Sequence, residues 1–405
     1  MQIVNYVTTA LNEGMYCIAV FLDLKKAFDV CSHSILLAKL NKMGIQGTAL
    51  EWFKNYLSGR SQKVEINGTL SDPLDLDISV IQGSILGPIL FLCYINDFWT
   101  ITSLFSVLFA DDTTGLGKGK NLRDLTAFVN TELQKIANWF RANKMAINVA
   151  KTKFIVFRTR GKAINPLDCQ LVYNSNEIGL PENQALVYPI ERIHNEGETK
   201  NFKLLGILFD EYLSFDDHIA SVCTKISKSL FCINRVKKFV NESTKKTLYF
   251  AMVHSHIVYC MSVYSCAYST SLNKLRVKQK EAIRIICNAG YREHTAPLFN
   301  RLKILPVDQL ISLCILRFMH SYTHNLLPLS FRNIWTSNRE RFPERVLRNA
   351  DQLFIPRHNF ATLKRLPLFN FPVIWNTASN EKNDPNPYRY IKYLKRTLHF
   401  QLNAQ

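Results

Sequence analysis

The sequence predicts an α+β fold, with a ferredoxin-like, split βαβ layer in the first 160 residues and a mainly helical remainder. Three observations carry this. Short apolar runs rich in β-formers occur at 16–22, 104–110 and 154–157. Stretches of helical period separate them, so that, with an insertion at about 33–81 set aside, the order is strand, helix, strand, turn, strand, helix, strand. Beyond residue 212 the helical period dominates.

Each element has its own signal. The run Tyr16–Leu22 (YCIAVFL) is continuously apolar, as a buried strand should be, and ends at Asp23. Helical period marks 33–43 and Thr48–Leu57, and hairpin strands are expected at 62–66 and 76–81. Ser84 is placed to cap a helix reaching about Asp97, with Pro88 near the first turn, where a missing N–H does no harm. The second strand, 104–110, leads into Asp111 and Asp112, and 113–116 returns as a third. An amphipathic helix over 122–143 and a strand at 154–157 complete the layer. Pro166, Pro181 and Pro189, among scattered Asn and Gly, make 158–200 a loop or a hairpin. A strand is expected at 202–209 and helices at 217–240, 243–264, 272–288 and 307–320, while 331–405 gives no fold.

The element order has a geometric consequence. A right-handed crossover sets the first two strands parallel, with the third antiparallel between them. The end of the first strand then meets the turn after the second, so Asp23 converges with Asp111 and Asp112 across about ninety residues of chain.

Composition bounds the function. A chain of 405 residues exceeds one ordinary core and suggests two or three domains. Lys and Arg outnumber Asp and Glu by 50 to 32, a net +18 that suits a polyanionic partner, nucleic acid first. The longest apolar run, around 85–95, falls short of the roughly 20 residues of a membrane span. The opening MQIVNYVTTALNEG lacks the basic flank and apolar block of a secretory signal, so a soluble protein of the nucleus or cytoplasm is expected, with no membrane partner. Ten cysteines without a C-x-x-C pair read as buried thiols rather than zinc ligands.

Convergent carboxylates suit hard Mg²⁺, or Mn²⁺ in its place. Transfer of a nucleotidyl group to a 3′-hydroxyl uses two such ions roughly 3.5–4 Å apart. Asp23 and Asp111 are positioned to bridge them, and Asp112 can add an oxygen or negative potential. Alone, an Asp-Asp turn is usually an Asx-turn or cap; convergence with Asp23 favours the chemical reading.

FLDLKKAFD (21–29), QGSILGPILF (82–91) and FADD (109–112) resemble, in order, motifs A, B and C of reverse transcriptases from LINE-like, jockey-type non-LTR retrotransposons. NVAKTKFIVF (148–157) is similar to motif D and FKLLGILFD (202–210) to motif E, the primer grip; WFKNYLSGR (52–60) also resembles the family, and the likeness extends to about residue 325. The resemblance implies an RNA-directed DNA polymerase that uses an RNA template, a DNA primer and dNTPs. It implies that Phe28 is an aromatic gate against a ribose 2′-hydroxyl, that Gln82 and Gly83 lie beside the incoming nucleotide, and that Lys151 protonates the departing pyrophosphate. From 216 to 290, twelve basic residues face four acidic ones. Lys225, Lys228, Arg235, Lys237 and Lys238 on one helix, with Lys274, Lys278 and Arg284 on another, are candidates for following the phosphates of a template–primer duplex.

The expected division is a palm with partial fingers at 1–160, a connecting loop or hairpin with the primer-grip strand at 161–212, a helical thumb at 213–330 and a basic C-terminal region at 331–405. Only 22 residues precede Asp23, where the family carries basic fingers residues, and Val80-Ile81-Gln82-Gly83 stands where the family usually reads V-P-Q-G. The chain is therefore expected to be truncated or degenerate at its N-terminus, and to bind nucleic acid with little processive synthesis. Two other readings stay open. One is a non-catalytic remnant that binds nucleic acid; the other is an RNA-dependent RNA polymerase, for which Asp29 would hold the 2′-hydroxyl and against which Phe28 and Ala110 argue.

Overall fold

A computed structural model describes residues 1–81, 83–175, 186–378 and 385–403. The chain forms two compact units, Met15–His194 and Met1–Gly14 with Asn195–Gln405, so the expected connecting stretch 161–212 is shared between them. Helix α1 (Gln2–Asn12) belongs to the second; it was not expected, although Val4, Val7 and Leu11 recur with helical period on its buried face.

The unit Met15–His194 runs from β1 (Tyr16–Leu22) through α2 (His33–Lys42), α3 (Thr48–Leu57) and four short strands, β2 (Arg60–Gln62), β3 (Glu65–Ile66), β4 (Thr69–Leu70) and β5 (Leu74–Leu76). It continues with α4 (Leu86–Ile95), β6 (Phe105–Phe109), β7 (Asp112–Gly119), α5 (Leu122–Ala142), β8 (Lys153–Phe157), β9 (Val172–Ser175), β10 (Leu186–Pro189) and β11 (Glu191–Ile193). The main sheet has the order β11-β8-β1-β7-β6. β7 is antiparallel to both β1 and β6, and β8 is antiparallel to β1. Without β11, this is the expected split βαβ order. β11 adds a parallel strand beside β8, and its three residues are too few to show a period.

Position explains composition. β1 is the middle strand, and Cys17, Ala19 and Phe21 are buried as fully as Ile18, Val20 and Leu22 on its other face, which is why its run is continuously apolar. Ile18, Val20 and Leu22 share a core with Leu90 and Phe91 of α4 and with Leu125, Val129, Leu133 and Ile136 of α5. β7 (DTTGLGKG) is a poor strand by propensity, yet it extends well past the expected 113–116. A Cβ on Gly117 would meet Leu104, Leu125 and Val129 at 3.3 Å, so glycine lets α5 lie close to the sheet. Glu132, buried on α5, accepts the Ser103 N–H at 2.6 Å and the Thr102 hydroxyl at 2.8 Å, pinning the entry to β6.

The insertion differs from expectation. Strands at 62–66 and 76–81 are replaced by two short ladders, β2 with β5 and β3 with β4, which are mostly exposed and so lack a buried face to fix a register. The stretch after β5 instead returns to the segment following β1, where Ser79 N–H donates to Cys31 O at 2.8 Å and Val80 N–H to Phe28 O at 2.9 Å. The N-cap position of α4 is Ile85 rather than the expected Ser84, although Ser84 Oγ still accepts the Gly87 N–H at 2.9 Å.

The other unit carries a hairpin, β12 (Phe202–Leu204) and β13 (Ile207–Phe209), where one strand was expected. Its turn residues Leu205 and Gly206 have φ of 46° and 82°, a pair suited to a tight hairpin. Asp210 then accepts the N–H groups of Tyr212, Ser214 and Phe215 and leads the chain into α6 (Asp216–Val236). The expected helix 243–264 is broken into α7 (Glu242–Tyr249), a π turn at Phe250–His254, α8 (Ser255–Val258) and α9 (Met261–Tyr264). The last break falls where Tyr259 donates its hydroxyl to Leu205 O at 2.8 Å and Cys260 adopts φ 50°. Helices α10 (Ser269–Cys287), α11 (Ala296–Leu302) and α12 (Val307–Thr323) follow. Among the described residues beyond 331, where no fold was expected, lie α13 (Asn338–Arg341), α14 (Pro367–Thr377) and α15 (Pro387–Asn403). Trp335, Phe371, Trp375, Tyr390 and Leu394 join Ile315 and Met319 of α12 in a second core. All ten thiols are free, and Cys232 is exposed on α6, unlike the buried thiol expected there. No described helix is long and apolar enough to cross a membrane.

Candidate active site

The edge where β1 ends and β7 begins gathers the acids. In the antiparallel register Leu22 faces Thr113, so one further step sets Asp23 opposite Asp112. Asp112 pairs with Phe109 across the β6–β7 hairpin, whose two loop residues are Ala110 and Asp111. Ala110 adopts φ 52°, a left-handed backbone uncommon for a residue with a Cβ. Asp112 reaches solvent, yet its carboxyl is raised above the ordinary range, first by partial burial and then by the negative charges of Asp111 and Asp23.

The β1 exit is stapled to the loop before β8. Asn148 N–H donates to Asp23 O at 2.7 Å, Lys25 N–H donates to Ala146 O at 2.9 Å, and Asp23 N–H donates to the buried Thr152 Oγ1 at 3.3 Å. This loop carries Lys151, whose exposed Nζ stands 3.9 Å from Asp23 Oδ2. The expected proton donor thus sits beside the expected metal ligand, as an ion-pair partner.

Phe28 is half-buried and stacks on Phe91 of α4, with ring centroids 4.6 Å apart and planes 29° apart. A core role and a gating role are compatible with this pose. Gly83 is exposed, has φ 81° and has open space where a Cβ would point. Gln82 lies outside the described residues. The glycine under steric demand is Gly87, which sequence reasoning passed over: a Cβ there would fall 2.5 Å from the Ile81 carbonyl oxygen. Phe91, Thr152 and Ala110 were also missed as supports. Only the two-residue spacing within FADD hinted at the tight turn.

Carboxylate oxygens are the donors that Mg²⁺ takes, and both the partial burial and the neighbouring charges that raise Asp112 are what a bound divalent cation would offset, so the donor set fits. As the side chains stand, no three His, Cys, Asp or Glu among the described residues are gathered tightly enough to hold an ion.

The eight basic candidates do not share one face. Lys225, Lys228 and Arg235 are exposed on α6, and the Arg235 guanidinium lies 5.2 Å from the Phe231 ring centre. Lys237 and Lys238 follow the end of that helix rather than lying on it as expected. On α10, Lys278 pairs with Glu281 at 3.0 Å and Arg284 donates to Glu293 O at 3.0 Å. Burial raises the Cys223 thiol while Lys278 and Lys274 pull it back, so these two lysines approach Cys223. That cysteine is about 200° around α6 from Lys225.

Comparison with known proteins adds three findings. A model of the family described as reverse transcriptase (RNA-dependent DNA polymerase) matches residues 2–209. The chain is 24% identical to the probable RNA-directed DNA polymerase from transposon X-element of Drosophila melanogaster, over 90% of this chain and 38% of that protein. It is 26% identical to the RNA-directed DNA polymerase from mobile element jockey of the same fly and 27% identical to that of Drosophila funebris, each over 75% of this chain and 32% of the relative. The chain therefore spans about a third of the length of these relatives.

Proposed function

Because the chain belongs to the reverse transcriptase (RNA-dependent DNA polymerase) family, we propose that Met15–His194 is the palm, with part of the fingers, of an RNA-directed DNA polymerase from a LINE-like, jockey-type element. In this reading the β12–β13 hairpin is the primer grip and the helices from α6 onward form the thumb. The observation that carries the reading is the meeting of Asp23, Asp111 and Asp112 on adjoining backbone, with Asp112 raised by partial burial and then by both neighbours.

The chemistry is transfer of a deoxynucleotidyl group to a primer 3′-hydroxyl on an RNA template. Asp23, Asp111 and Asp112 would hold two Mg²⁺ ions, which supply charge stabilisation for the attacking and leaving oxygens when bound. Lys151, whose Nζ stands 3.9 Å from Asp23 Oδ2, would be the proton donor to the departing pyrophosphate. Phe28, braced by Phe91, presents a flat wall where a ribose 2′-hydroxyl would clash. Gly83 leaves its backbone open to a nucleotide, beside which Gln82 is also proposed to act. Lys225, Lys228, Arg235, Lys238 and Lys274 are exposed cations for duplex phosphates, with the half-buried Lys237, Lys278 and Arg284 contributing beside them.

Primer extension tests this. With a primed RNA, Mg²⁺ and dNTPs, the purified chain is expected to bind the template–primer and add at most a few nucleotides without processive synthesis, and Asp111→Asn to abolish that addition. Incorporation that survives Asp111→Asn, or that prefers rNTPs, would sink the proposal. A second reading, a nucleic-acid binder without catalysis, draws on the absence of a ready-formed trio of metal ligands among the described residues. It predicts tight binding with no extension at any Mg²⁺ or Mn²⁺ concentration.

A further inference from the structure

Helix α3 and the short strand after it carry an aromatic row that the polymerase chemistry does not use. Trp52 stacks on Tyr56 one turn along, with centroids 5.5 Å apart and planes 10° apart, while Phe53 meets Trp52 edge-on at 5.1 Å. Arg60 extends the row, its guanidinium 5.0 Å from the Tyr56 ring centre and its Nε donating to Tyr56 O at 2.9 Å. Tryptophan is usually well buried, but Trp52 is 53% exposed, so one broad face of the row meets solvent. The row runs into a cleft of about 500 Å³ whose polar lining includes Arg60, Ser61, Gln62, Asp29 and His33. Arg60 and the exposed Lys63 have no carboxylate partner among the described residues, whereas Lys54 has Glu51 at 3.6 Å.

An exposed indole face on Trp52, with Arg60 and Lys63 close along the chain, is what a single-stranded polynucleotide requires: a π-face for an unpaired base and positive charge for the phosphates beside it. A stacked helix face kept only for stability would bury Trp52 or pair Arg60 with an acid. We infer that the Trp52–Tyr56–Arg60 row is a stacking platform for single-stranded nucleic acid, with the adjoining cleft taking one nucleotide unit. This rests on the polymerase reading and deepens it by giving unpaired strand a seat whose cleft, through Asp29 and Ile81, adjoins the residues proposed to meet the incoming nucleotide.

The test uses the full chain and labelled oligonucleotides of about 12 nucleotides, within the site sizes usual for such surfaces: oligo(U) and oligo(A) RNA, oligo(dT), and a blunt duplex. Trp52→Ala is expected to weaken single-strand binding roughly ten- to a hundredfold, the usual worth of one base–aromatic stack, and to leave duplex binding unchanged. Trp52→Phe should restore most of the affinity. Trp52→Leu, which keeps apolar bulk without a π-face, should bind as weakly as the alanine variant, which guards against a loss due to misfolding. Arg60→Gln should lower the salt slope of single-strand binding by about 0.7. RNA bound more tightly than oligo(dT) would assign the cleft to a ribose 2′-hydroxyl, and equal affinity would assign it to the shared base and phosphate. Single-strand affinity unchanged by Trp52→Ala overturns the inference. The polymerase reading stands or falls separately, on primer extension by the same preparation.

Discussion

Asp112 sits where like charges meet, and its raised carboxyl has a consequence for stability. A folded pKa above the unfolded one means that the native state binds the proton more tightly. That stabilisation is complete below the ordinary carboxylate range and is lost as pH rises through the folded value. At neutral pH an ionised Asp112 therefore works against the fold, and Asp112→Asn should raise Tm at pH 7. At a pH below the ordinary carboxylate range, where the wild-type carboxyl is already protonated, the gain should vanish; an equal gain at both pH values would mean that charge is not the cause. Mg²⁺ added at neutral pH ought to raise the Tm of the wild type more than that of Asp111→Asn, because a ligand stabilises only the state that binds it.

At the scale of elements, β7 shows both the reach and the limit of the sequence. Gly117 weakens the strand signal, yet it is what admits α5 to the sheet, so Gly117→Val should cost about 1–3 kcal/mol of unfolding free energy in urea titration by forcing the helix away. A negligible loss would mean that Leu104, Leu125 and Val129 can give way. β1, α3 and α5 were legible because continuous apolar runs and 3.6-residue periods report burial directly, and the order of strands was enough to bring Asp23 to Asp112. The exposed ladders β2–β5 and β3–β4 have little buried face, so no alternation recorded them. The break at Tyr259 and Cys260 answers to a hydrogen bond to Leu205, more than fifty residues away, which no local pattern contains. In the candidate site the acids were readable and their supports were not. Thr152 and Gly87 matter through backbone contacts that become visible only once the loops are in place.

For the whole molecule, a net charge of +18 means that nucleic-acid affinity should fall steeply with salt. Changing Lys225, Lys228 and Arg235 together to Gln should reduce the slope of log affinity against log salt for a duplex by about 2–3, since each phosphate contact releases a counterion. A slope unmoved by the triple change would put the duplex elsewhere on the surface. The central place of β1 bears finally on how the protein is made. Its two neighbours in the sheet, β7 and β8, are encoded some ninety and one hundred and thirty residues later. At roughly 5–20 residues per second, a ribosome leaves this seven-residue apolar strand without partners for about 5–25 s. Both of its hydrogen-bonding edges are then open to any other nascent chain. Yield in a cell should thus depend on chaperone capacity and on the pace of translation through β7 and β8, and the carboxylate edge can exist only in chains that have come through that interval correctly paired.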